Sequence, residues 1–120
     1  MTLSQAIARL DALKPNTFTD AEKLRWLSAL DGRIHAELIG EGGEPFRSYT
    51  ERTPPETELA VPFPYDALYL HYLEMRVDYA NEDYTKYNNS SAMFNESYAA
   101  FERYYNRTHR KTGRTWKIFS

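Results

Sequence analysis

The stretch TDAEKLRWLSALDGRIHAELIG, residues 19–40, carries the clearest structural signal in the chain. Thr19 followed by Glu22 matches a capping box, in which each side chain bonds the backbone N–H of the other residue. Apolar residues then recur at spacings of three and four: Leu24, Leu27, Leu30, Ile34 and Leu38. Gly40 follows at the position where a left-handed residue ends many helices. The stretch therefore predicts an amphipathic helix that begins after Thr19 and ends before Gly40.

Helical spacing predicts three further helices around this one. Residues 3–13 carry one apolar stripe, and Pro15 disfavours helical geometry just beyond it. Pro64 suits a first helical position, and about twenty residues from Tyr65 are apolar over more than one face, which is typical of a central helix. The cap-forming residues 87–91 predict a break before a last helix. Together these patterns predict an all-α bundle of about four helices.

Residues 40–63 are rich in glycine and proline and predict a long loop between the second and third helices. Within this loop, residues 46–49 alternate in polarity and predict a short strand, whereas residues 58–61 are expected to re-enter the core. The last apolar stripe ends near Asn106, and residues 115–119 again show the alternation of a strand. We therefore expect a helical-bundle domain over residues 1–109 and an extended, basic C-terminal extension over residues 110–120.

Length and composition exclude several classes of protein. A chain of 120 residues makes one domain, and its balance of hydrophobic and charged residues is that of a globular protein. The absence of cysteine excludes disulfides, thiolate metal sites and a cysteine nucleophile. No apolar run reaches the roughly 20 residues of a membrane-spanning helix, and the N-terminus lacks the pattern of a signal peptide. We expect a cytosolic protein without a membrane partner.

Charge is unevenly distributed although the formal net charge is only -2. From position 103 onward there are six basic residues and no acidic one: Arg103, Arg107, Arg110, Lys111, Arg114 and Lys117. A basic terminus on a nearly neutral body indicates docking on an acidic surface, or a basic arm that binds DNA. A solvated tail without a binding role is an equally simple interpretation.

Catalytic and ligand-binding motifs are weak. The sequence has no Gly-x-Ser-x-Gly elbow, and no Gly-Lys-Ser/Thr follows its glycine cluster, so we reject nucleotide binding. The best metal candidate joins His71, Glu74 and Asp78 on one helix, with His35 and Asp31 as the only other set. A surface ion pair explains the first group more simply. The sequence predicts no enzyme, no cofactor and no metal.

Ten tyrosines are an unusual number for so short a chain. Their helical spacing favours core packing. Tyrosine also suits protein interfaces, and a chain of this size cannot bury every ring, so we expect some of them at a contact between subunits.

Four segments together resemble small head–tail connector proteins, or adaptors, of tailed phages and prophages of Gram-positive bacteria. These segments are EKLRWLSALDGRI at 22–34, VPFPYDALY at 61–69, YNNSSAMFN at 87–95 and YYNRTH at 104–109. The resemblance implies a non-catalytic, helical head-completion protein, assembled in the host cytoplasm and located in the virion. Many copies would form a ring between the portal protein and a tail or stopper protein. DNA would only pass through the channel.

In related adaptors the C-terminal extension typically grips the portal, in some cases by adding a strand. The resemblance therefore implies that portal-binding residues lie in the extension: Arg110, Lys111, Arg114, Trp116, Lys117 and Phe119. It also implies that the loop at 40–63 faces the channel or a neighbouring copy. A small DNA-binding module that uses the basic C-terminal arm is the alternative.

Overall fold

The computed structural model describes residues 1–40 and 45–109, and most of these residues are helical. Within them the chain forms four α-helices: α1 (Leu3–Leu13), α2 (Asp20–Ile34), α3 (Leu68–Ala80) and α4 (Tyr84–His109). A π-helical turn, His35–Ile39, extends α2, and a 3-10 turn, Tyr65–Ala67, precedes α3. For these residues the prediction of an all-α bundle of about four helices is confirmed.

The first two helices begin and end where the sequence places them. Thr19 and Glu22 form the predicted capping box, and Thr2 with Gln5 forms a second one before α1. These boxes satisfy backbone N–H groups that have no partner inside a helix. Gly40 has a φ of 68° and donates its N–H to the His35 carbonyl, 2.7 Å away, which closes the turn after α2. Only the π-helical geometry of residues 35–39 was not expected.

Helix α3 is central, as its broad apolar surface predicts, and it contacts α1, α2 and α4. The Met1 ammonium lies 3.3 Å from Asp66, and Lys14 lies 2.6 Å from Asp78, so α1 runs parallel to α3. Helix α4 runs back along α3 with aromatic contacts on the way. Ring pairs follow one another from Tyr79–Tyr84 at the turn, through Tyr72–Phe94, to Tyr65–Phe101 and Tyr65–Tyr104 at the 3-10 turn before α3. Residues Tyr65–Ala67, after Pro64, form a 3-10 turn. Helix α3 therefore begins at Leu68 and not at Tyr65, as the sequence predicted.

The predicted break at residues 87–91 is wrong, because the chain turns at residues 81–83 and α4 is continuous from Tyr84. Glu82 adopts a left-handed φ of 59°, and the Asp83 side chain accepts a hydrogen bond from the Lys86 N–H as a cap. In the run 87–91, Asn88 and Asn89 are exposed on the helix surface. Ser90 Oγ bonds the Lys86 carbonyl instead of ending the helix.

The long loop between α2 and α3 is bound to the body at its described residues. Leu59 and Val61 are buried in the core, which confirms the predicted re-entry. The Leu59 N–H donates to the Met1 carbonyl at 3.0 Å, beside a single antiparallel bridge between Thr2 and Glu58. The strand predicted at residues 46–49 is wrong, because the Tyr49 N–H donates to Ser28 Oγ of α2 rather than to a neighbouring strand. The strand predicted at 115–119 lies outside the described residues.

Candidate functional site

A fully buried carboxylate, Asp31 on α2, holds three parts of the fold together. Tyr69 of α3 donates its hydroxyl to Asp31 Oδ1 at 2.5 Å, and Tyr49 of the loop donates to Oδ2, also at 2.5 Å. The Ala60 N–H donates to Oδ2 at 3.1 Å. The Tyr69 hydroxyl in turn accepts the Val61 N–H at 2.8 Å. Asp31 and these three donors form a clamp that holds the loop against α2 and α3.

The electrostatics of this clamp are those of a structural group. Burial raises the pKa of Asp31 above its ordinary value of 3.8, while the hydroxyls of Tyr49 and Tyr69 and the N–H of Ala60 oppose that rise. Burial and the neighbouring carboxyl group raise the pKa of both tyrosines far above their ordinary range. Both phenols therefore stay protonated and act as hydrogen-bond donors. The Asp31 oxygen atoms thus face these donors and not solvent.

The metal candidate at His71, Glu74 and Asp78 does not have the geometry of a metal site. Asp78 is buried, and it accepts from Lys14 Nζ at 2.6 Å and from Ser90 Oγ at 2.9 Å. An ammonium bound this closely competes with a metal cation for the same oxygen atoms. His71 Nδ1 lies 3.9 Å from Glu74 Oε1, at the distance of a weak surface ion pair.

The second metal candidate, His35 with Asp31, has both side chains engaged in other contacts. Asp31 is enclosed by tyrosines, whereas the His35 ring packs against Phe46 with 5.0 Å between ring centroids. Across residues 1–40 and 45–109, no three His, Asp or Glu side chains are grouped closely enough to hold a metal ion.

The tyrosines range from fully buried to mostly exposed. Tyr69, Tyr72 and Tyr98 belong to the core. Tyr98 also donates its hydroxyl to Glu37 at 2.8 Å, and burial is the main reason that its pKa rises to about 12. Tyr79 and Tyr84 at the α3–α4 turn are 58% and 54% exposed, so they are available for a contact with another molecule.

The C-terminal end of α4 is where the body meets the basic extension. Tyr104 stacks on Tyr65 with ring centroids 4.6 Å apart, and the guanidinium of Arg107 lies 5.9 Å from the Tyr104 ring centroid. The last four residues of α4, at positions 106–109, are all exposed. The helix thus carries the chain clear of the core before position 110. The predicted portal-binding residues lie outside the described residues: Arg110, Lys111, Arg114, Trp116, Lys117 and Phe119.

Sequence reasoning missed the role of Asp31, although a signal was present. Asp31 lies four residues after Leu27 and three before Ile34, so it falls on the apolar stripe of α2. A carboxylate at such a position must be buried and therefore needs hydrogen-bond donors from other elements. The tyrosines that supply them are 18 and 38 residues away in sequence, which no local pattern reveals.

No protein-family model matches the chain, and comparison with curated proteins and with solved structures gives no match either. None of the helices in the described part of the chain combines the length and the apolar character needed to cross a membrane.

Proposed function

We propose that this protein is a structural head–tail connector of a tailed phage or prophage, which forms a ring between the portal and the tail. The proposal rests on the resemblance of four segments between residues 22 and 109, and the all-α bundle is consistent with it. The observation that carries the proposal is the end of α4. Its last turn is exposed, and the basic residues of positions 110–120 follow it directly in the sequence.

The extension has the composition expected of a segment that binds a protein edge. Trp116, Ile118 and Phe119 supply apolar area, and four basic residues accompany them without an acidic one. Such a segment suits addition to a sheet edge, where main-chain hydrogen bonds give affinity and side-chain pockets give specificity. Its charge would favour an acidic portal surface. The protein would have no catalytic activity, would assemble in the host cytoplasm and would function in the virion.

Self-association would use the exposed aromatic surface of the body. Tyr79 and Tyr84 lie at one end of the α3–α4 pair, and Leu13 and Met93 are further exposed apolar side chains. Tyrosine and methionine are enriched in protein interfaces. These residues are candidates for contacts between copies or with a tail or stopper protein.

The decisive experiment is co-sedimentation with the portal ring encoded in the same phage or prophage. We expect saturable binding that is lost when residues 110–120 are deleted. Trp116→Ala with Phe119→Ala should weaken binding strongly, because truncating aromatic anchors removes most of the apolar contact area. Thr112→Ala with Thr115→Ala is the matched control in the same segment and should bind normally. Full portal binding by the aromatic double variant would refute the tail assignment, and no binding by the intact protein would refute the connector role.

The alternative is a DNA-binding module that uses the same basic arm. The last turn of α4 favours it, because Arg107 and His109 are exposed there and Arg103 is exposed one turn earlier. Fluorescence anisotropy with duplex DNA tests this function, since affinity should fall linearly in a log–log plot against salt, with a slope of about 0.9 per neutralised phosphate. Steep salt-dependent DNA binding without portal binding would favour the DNA module.

A further inference from the structure

A groove runs along one side of α1, between α1, the first turns of α2 and residues 51–55 of the loop. It encloses about 390 Å³. Its apolar lining includes the side chains of Leu3, Ile7 and Leu24, of which Ile7 and Leu24 are only half-buried. Apolar surface of this kind, in a concave site, is suited to hold large apolar side chains.

The same groove is bordered by acidic groups. Asp11, Asp20 and Glu51 line it, and all three are exposed, whereas none of the described residues that line it is a lysine or an arginine. Asp11 already accepts a hydrogen bond from Lys23 Nζ at 2.7 Å. The carboxylates of Asp20 and Glu51 are therefore the acidic groups left to attract a cation, and a ligand for this groove should combine apolar and basic side chains.

We propose that the C-terminal segment of the same molecule, residues 110–120, binds in this groove. The segment supplies three large apolar side chains, Trp116, Ile118 and Phe119, together with four cations and no acid. Both halves of the groove's chemistry are thus matched, since the apolar lining meets aromatic rings and the carboxylates meet lysine and arginine. This docking goes beyond the connector role and does not depend on it, because it requires no portal.

The position of the end of α4 brings the segment within reach. Tyr104 stacks on Tyr65, and the neighbouring Asp66 lies 3.3 Å from the Met1 ammonium, so α4 ends where α1 begins. The groove starts at Leu3 on that same end of α1. Eleven extended residues span up to about 36 Å, which is enough to follow α1 from there. A short tether also gives a segment an effective concentration on the order of millimolar, so binding within one molecule prevails over binding between molecules at micromolar protein.

Tryptophan fluorescence tests the proposal in the full-length chain. Trp26→Phe leaves Trp116 as the only tryptophan and keeps an aromatic ring against Phe18. We expect Trp116 to emit at short wavelength and to be protected from acrylamide, a neutral quencher, in low salt. The groove variant combines Ala8→Arg with Glu51→Arg, two exposed positions that line the groove. The matched control places the same two arginines on α4, as Ala92→Arg with Glu96→Arg, where both positions are also exposed.

The groove variant should lower the docking constant about tenfold, because it removes one favourable charge and adds two unfavourable ones. Its Trp116 emission should shift to the red. Acrylamide should quench this emission as readily as it quenches the parent protein in high salt, whereas the α4 control should behave as the parent. Arg114→Glu with Lys117→Glu should have the same effect as the groove variant without any change in the body. Circular dichroism verifies that each variant is folded.

Equal quenching of Trp116 in the parent, the groove variant and the α4 control would overturn the proposal. So would protection that increases with protein concentration, because that result would place the segment on a second molecule. Portal co-sedimentation is a separate measurement, so failure of the groove docking leaves the connector proposal standing, and failure of portal binding leaves the docking standing.

Discussion

Replacing Tyr69 by phenylalanine tests how the loop is held, because its hydroxyl has two roles. It donates to Asp31 at 2.5 Å and accepts the Val61 N–H at 2.8 Å. Phenylalanine keeps the ring in the core and removes both bonds. A hydrogen bond to a charged group contributes about 1.5 to 3 kcal/mol, and a buried N–H left without a partner costs about 1 to 3 kcal/mol. We expect Tyr69→Phe to lower the free energy of unfolding by about 3 kcal/mol.

Tyr49→Phe is the matched comparison for this prediction. Tyr49 donates to the same carboxylate at the same distance of 2.5 Å. However, Tyr49 belongs to the loop, and the residue is only half-buried. This variant should lose about 1.5 kcal/mol, the contribution of the donated bond alone. Tyr84→Phe, at an exposed ring, should change stability by less than about 0.5 kcal/mol.

Urea denaturation followed by circular dichroism measures all three variants. At about 4 °C per kcal/mol, Tyr69→Phe should also lower Tm by roughly 12 °C. If Tyr69→Phe loses no more stability than Tyr49→Phe, the Val61 N–H finds another partner and the two-role argument is wrong. If neither variant loses stability, the clamp does not hold the loop.

Three further predictions concern buried or strained groups. Lys14→Ala leaves the Asp78 carboxylate buried without its cation and should cost about 3 kcal/mol in urea denaturation, with no such loss contradicting the pairing. Because the folded pKa of Asp31 is raised, native Asp31 holds its proton at a pH where unfolded Asp31 has lost it. The free energy of unfolding of the parent protein, compared with that of the Asp31→Asn variant, should therefore decrease as pH rises from 3.8 through that raised pKa. Urea midpoints of both proteins across this pH range measure the difference. Glu82→Gly relieves a left-handed φ of 59° and should raise the free energy of unfolding by about 0.5 to 1 kcal/mol in the same assay.

Local sequence signals predicted the parts of the fold that depend on neighbouring residues. The capping box at Thr19 marks the start of α2, and Gly40 marks the end of its π-helical turn. Both ends were predictable because a cap needs only residues three or four positions apart. The break between α3 and α4 was misplaced for a related reason. Asparagine and serine at 87–91 are able to cap a helix, but each is also tolerated on an exposed helix surface, so composition alone does not decide between the two.

The loop could not be predicted, since its conformation depends on distant partners. Tyr49 and Ala60 meet on one carboxylate although they are eleven residues apart, and that carboxylate is in another element. Only the re-entry at Leu59 and Val61 was visible, as a short apolar segment. The predicted portal-binding residues, all at or beyond Arg110, remain a prediction, because the described residues end at His109.

Charged side chains on the apolar stripes fix the register of this bundle. Lys23 and Asp78 are both buried. Lys23 pairs with Asp11 of α1 at 2.7 Å, and Asp78 pairs with Lys14, the residue after α1, at 2.6 Å. The hydrophobic effect is non-directional, so burial of apolar area alone selects only weakly against a shift of α1 by one turn, about 5.4 Å. The same shift would separate both ion pairs and leave two charges buried without partners, which is far more costly. The ion pairs therefore select one arrangement of α1 against α2 and α3, and with it the groove that α1 lines.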